Sequence, residues 1–173
     1  MELTKKQLTI KYVCYCVMII VADLLQNVSG LFPEIAGARC FILIPLAVFL
    51  ASGEDFLAGS LLGFFAGLLW DLTSPVHMGF NCIMIALFCF ITSVLITYIA
   101  RNIFVTNLIA STLSTVIYVI FYWLFFIIIK SIDGGYDTLF YFYIPSAVYT
   151  AVVSLLIWAV LKPIKKHLNK SEV

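Results

Sequence analysis

Asp71 and His77 stand six residues apart, close enough for a carboxylate to hold an imidazole as a general base. Asp23 lies inside an apolar run, where a buried carboxylate is the usual carrier in a proton relay. Neither arrangement is complete as catalytic machinery. The only other histidine is His167, and no serine or cysteine in an apolar segment has a histidine to activate it. Cys14 and Cys16 are two residues apart, so on a helix they face different directions and cannot share a metal ion. Cys40, Cys82 and Cys89 are isolated in apolar sequence and read, with the first two, as small reduced hydrophobes. The chain is therefore expected to be no enzyme, with no metal site and no cofactor.

Two rows of residues are better defined. Gly59, Gly63, Gly67 and Asp71 recur every fourth position of an apolar helix, so they form one narrow stripe. Leu72, Ser74 and Gly79 continue the region beyond it. In lipid, small residues at that spacing let two helix backbones approach closely, either within the chain or against a partner. Asp71 is the unusual member, because it falls near a helix C-terminus, where the macrodipole disfavours a negative charge. It is expected either to cap the outer turn through Thr73 and Ser74 or to bond a partner. The second row is Asp23, Gln26, Asn27 and Gly30, which share one face of the first helix. That face should point inward and hydrogen-bond to neighbouring helices.

The elements that position these residues follow from composition. Of the 173 residues 64% are hydrophobic and 11% charged, which defines an integral membrane protein. The formal net charge of +1 leaves no basic surface for nucleic acid, and membrane lipid is the surrounding partner. Apolar runs at about Lys11–Leu31, Cys40–Ala51, Phe56–Leu72, Phe80–Ala100, Phe104–Ile129 and Leu139–Leu161 predict an all-α, polytopic bundle of six transmembrane helices in one domain over residues 1–173. The second run is short and contains Pro45, which predicts a kinked, tilted or re-entrant segment. The first run carries Asp23, Gln26 and Asn27 in place of a cleavage region and is expected to be retained. Lys5, Lys6 and Lys11 precede the first helix, and Lys162, Lys165, Lys166 and Lys170 follow the last. The positive-inside rule then places both termini in the cytoplasm, with Arg101, Glu54 and Asp55 on that side and Asp71 and His77 outside. Ser93, Ser111, Thr112, Ser114, Thr115 and Ser154 are expected to bond helix backbones or neighbours. The aromatic residues Phe121 to Phe126 and Phe140 to Tyr143 read as a belt facing lipid near one interface.

Gly63, Gly67, Asp71, Leu72, Ser74 and Gly79, followed by an apolar helix, resemble the signature region of the bacterial rod shape-determining protein MreD family. Leu25-Gln26 in a first helix of this length is similar to that family too, whereas the placement of Pro45 deep in the second segment departs from it. The resemblance implies a non-catalytic subunit of the lateral cell-wall elongation machinery in the bacterial cytoplasmic membrane. Its implied partners are MreC, MreB, RodA and the transpeptidase that works with RodA. The same family resembles, in size and helix count, the substrate-binding subunits of energy-coupling-factor vitamin transporters. That likeness implies the alternative, a small-molecule transport subunit.

Overall fold

The computed structural model describes residues 5–28, 38–73, 78–99, 103–129 and 135–169. It is an all-α membrane bundle. The helices are α1 (Lys5–Asn27), α2 (Leu43–Ala51), α3 (Phe56–Thr73), α4 (Phe80–Tyr98), α5 (Phe104–Trp123), the single turn α6 (Gly135–Thr138) and α7 (Ile144–Leu168). A π-helical turn, Leu124–Ile128, extends α5, and another, Leu139–Tyr143, joins α6 to α7. Five of these units are long and apolar enough to cross a bilayer: α1, α3, α4, α5 with its π turn, and the unit from Leu139 to Leu168.

The remaining segment is different in kind. Residues 38 to 41 are not helical, and α2 that follows has only nine residues, every one of them buried. A helix that is apolar all round must be enclosed by protein or lipid on every side. Here α1, α3, α4, α5 and α7 all pack against α2, which makes it the centre of the bundle. Non-helical stretch and helix together reach about 28 Å at ordinary rises, close to the ~30 Å hydrocarbon thickness of a bilayer. Pro45 falls in the first turn of α2, where a missing N–H costs nothing, so it starts the helix and does not kink it.

Two boundaries move from the sequence expectation. The first helix begins at Lys5, which brings Lys11 inside the bundle, and α7 continues past Leu161 through Pro163 to Leu168, which carries Lys165 with it. α3 and α4 are the closest pair, since Gly59, Gly63 and Gly67 all face α4.

Candidate functional site

Each backbone N–H in hydrocarbon needs an acceptor, and a non-helical stretch cannot supply its own. The stretch before α2 obtains them from side chains. Arg39 N–H donates to Ser146 Oγ at 2.9 Å, Phe41 N–H to Thr150 Oγ1 at 3.0 Å and Leu43 N–H to Gln26 Oε1 at 3.0 Å. The register is geometric. Two residues of extended chain advance about 6.6 Å and four helical residues about 6 Å, so alternate N–H groups meet successive turns of α7. Chain and α7 therefore run in the same direction, side by side.

The far end of α2 is closed in the same manner. Lys165 Nζ donates to Phe49 O at 2.7 Å, Leu50 O at 3.1 Å and Ser52 O at 2.5 Å, and Ser93 Oγ donates to Ala51 O at 3.0 Å. A cation at a helix C-terminus also meets the negative end of the dipole. Gly53, with φ of 81°, makes the left-handed turn that ends α2. Glu54 follows, buried, 2.7 Å from Lys11 Nζ, and accepts from the hydroxyls of Tyr12 and Tyr15 at 3.3 Å each. Glu54, read from the sequence only as a charge on the cytoplasmic side, is drawn into the bundle, where its carboxylate ties α1 to the turn between α2 and α3. Lys11 is likewise no surface anchor.

At the opposite end Asp71 solves the problem its sequence position posed. It lies late in α3, yet its Oδ2 accepts from Gly79 N–H at 2.9 Å and Cys82 N–H at 3.0 Å, at the positive end of α4. Gly79 holds φ of 90° at the N-cap and has no side chain to cap with. The partner of Asp71 is thus the first turn of α4 and not Thr73, whose hydroxyl bonds Leu69 O, Trp70 O and Asp23 Oδ1. Ser74 and His77 lie outside the described residues, as do Gly30, Arg101 and Lys130.

The glycine stripe is filled by the protein itself. A Cβ on Gly67 would strike the Cys82 backbone, one on Gly63 would come within 2.7 Å of Ile85 O, and one on Gly59 would overlap Ser93 Oγ. The stripe is therefore an internal contact and leaves no open groove for a partner. Leu72, by contrast, is exposed on the outer face of α3. In the second row Asp23 is buried, Gln26 half-buried and Asn27 exposed, so the row turns outward as it ascends. Asn27 Nδ2 donates to Asp23 O at 2.8 Å and to Asp23 Oδ1 at 3.3 Å.

The aromatic belt divides into two. Phe121, Phe125, Phe140 and Tyr141 are exposed, whereas Tyr122 and Tyr143 turn toward a cluster around Tyr118, with ring centroids 5.9 Å apart. Tyr118 stacks on Trp70 at 5.4 Å, touches Phe41 at 5.9 Å and donates its hydroxyl to Asn81 Oδ1 at 2.6 Å. This cluster fastens Phe41, at the end of the non-helical stretch before α2, to α3, α4 and α5. Sequence reasoning missed Lys11, Glu54, Lys165, Ser146, Thr150 and Asn81. The spacing of Ser146, Thr150 and Ser154 at every fourth position was the readable sign of a polar helix face. Among the described residues no three of His, Cys, Asp and Glu lie close enough to hold a metal ion, and all five cysteines are free.

Comparison with protein-family models, with curated proteins and with solved structures gives no match to the chain.

Proposed function

We propose that the chain is a non-catalytic membrane subunit of the machinery that elongates the bacterial cell wall, of the MreD kind, assembling with MreC and through it with MreB, RodA and its transpeptidase. The observation that carries this reading is where the polar side chains go. Ser146, Thr150, Gln26, Ser93, Lys165 and Asp71 bond backbone groups of the second segment or of α4. Such side chains build a rigid frame and leave broad apolar helix faces as the outer surface, the surface that transmembrane helices of other subunits recognise. The resemblance from Gly63 to Gly79 supports the family, and the structural use of Gly63, Gly67, Asp71 and Gly79 gives a reason for each of those residue types. In this reading the lysine-rich end of the bundle is cytoplasmic and the end carrying Asp71 faces outward.

Depletion of the protein in its own cells tests the proposal, with cell width, MreC co-purification and uptake of vitamins measured together. Widened or rounded cells, an MreC band with the tagged protein and unchanged uptake are expected. Normal shape with lost uptake overturns the reading in favour of a transport subunit.

A further inference from the structure

α5, α7 and Leu139 of the π turn before α7 line an open apolar groove of about 630 Å³ to which no residue of α1 to α4 contributes. Ala147 and Ala151 line it beside Val148, Val152 and Leu155, and Thr112 is its one polar lining residue. It opens sideways, since Val116, Val148, Val152 and Leu155 are all exposed. Along α7 the wall from Ile144 to Leu155 is about 16 Å long at the helical rise, close to the ~15 Å hydrocarbon depth of one leaflet.

What lies below the groove decides its occupant. One turn beyond Leu108 on α5 is Phe104, and one turn beyond Leu155 on α7 is Trp158; their rings meet at 4.3 Å and close the lower end. Lys162 follows a further turn down, with Nζ 4.5 Å from the Trp158 ring. Lys11 and Lys165 are held by Glu54 and by the carbonyls ending α2, but Lys162 and Lys166 are exposed on the outside of α7. Neither α5 nor α7 contains an aspartate or glutamate. The order is therefore an apolar groove, an aromatic pair and a cation with no carboxylate within 4 Å among the described residues. An anionic phospholipid has the complementary order of acyl chain, ester region and phosphate.

We infer that this face binds one anionic phospholipid from the leaflet at the lysine-rich end, with an acyl chain along the α5–α7 groove and its phosphate on Lys162. The inference does not depend on the proposed function. Native mass spectrometry of the purified full chain in mixed micelles, with phosphatidylglycerol or phosphatidylcholine added as probes, tests it. The wild-type chain should retain one phosphatidylglycerol, preferred about fivefold over phosphatidylcholine, as about 1 kcal/mol per lysine implies. Lys162→Gln should remove the preference, Ala151→Phe should abolish retention of both lipids, and Lys6→Gln, on α1, should change nothing. Lys162 is exposed, so its variant tests the inference even if the bulkier change at Ala151 unfolds the chain, which thermal melting of each variant shows. Equal retention of the two lipids by the wild type overturns the inference. So does undiminished preference in Lys162→Gln, or a dimer that Ala151→Phe dissociates while lipid retention stays unchanged.

Discussion

The Lys11 ammonium lies 2.7 Å from Glu54 Oε1 with both side chains more than nine-tenths buried, and the rings of Tyr12 and Tyr15 flank the ammonium at 5.8 Å each. A pair removed from water this completely gains little net energy, but losing one partner strands the other charge at a cost of about 3–5 kcal/mol. Lys11→Met and Glu54→Gln should each lower the melting temperature in detergent sharply. The double variant should melt above either single one, because neither charge is then left alone and glutamine still accepts from the tyrosines. Additive losses in the double variant would show that the two residues act separately.

The helical segments were readable in the sequence because lipid imposes a length and an apolarity that few other environments demand. The second segment was readable only as an anomaly. Cys40–Ala51 announced through its length and Pro45 that it was no ordinary crossing, but two of the three side-chain acceptors for N–H groups at its start lie more than a hundred residues away, on Ser146 and Thr150. No local pattern links them. The same holds for Glu54 and Lys11, each unremarkable as a charge near a helix end until the fold removes both from water. Asp71 stood out in the sequence for its odd position on α3, yet its partner is the start of the next helix, a contact across a turn that helix periodicity alone does not reveal.

Alanine at the three helical glycines should destabilise in a fixed order. At Gly67 the new methyl meets the Cys82 backbone, which cannot move without parting α3 from α4. At Gly63 it meets both Ile85 O and the Cys89 side chain, and at Gly59 chiefly Ser93 Oγ, which can rotate away at the expense of its bond to Ala51 O. Losses of about 1–3 kcal/mol are expected, with Gly67→Ala worst and Gly59→Ala mildest. Melting temperatures of the three variants check the order, and Ser93→Ala should partly rescue Gly59→Ala.

Asp71→Asn and Asp71→Ala separate capping from charge. Asparagine keeps an oxygen for Gly79 N–H and Cys82 N–H, and places its amide where Oδ1 has no hydrogen-bond partner among the described residues. Alanine leaves both donors buried and unpaired, at about 1–3 kcal/mol. Thermal melting should therefore rank wild type and asparagine close together with alanine well below. If asparagine melts as low as alanine, the charge and not the acceptor holds the turn.

Thiol labelling of intact cells reads the orientation. Met78→Cys, exposed beside the Asp71 cap, should react with a membrane-impermeant maleimide, whereas Lys6→Cys and Lys166→Cys should react only after the cells are opened. Cys40, Cys82 and Cys89 are buried and should contribute little background. Labelling of Lys166→Cys in intact cells would reverse the orientation.

Ser146 and Thr150 are the sharpest test of the frame around α2. Ser146→Ala and Thr150→Val each remove the acceptor of one N–H inside the bundle, and an amide without a partner in that setting costs about 1–3 kcal/mol. Because the two acceptors serve neighbouring turns of a single stretch, release of one should loosen its hold on the other. The pair should then cost less than the sum of the single changes. Thr150→Ser retains the hydroxyl that accepts from Phe41 N–H and should melt within a few degrees of wild type, which a purely steric role for the threonine methyl would not allow. Hydrogen exchange at the Phe41 amide gives the most direct reading. Protection should persist in Thr150→Ser and collapse in Thr150→Val, while amides in the middle of α4 stay protected in both. Unchanged protection in Thr150→Val would mean that the stretch before α2 finds its acceptors elsewhere.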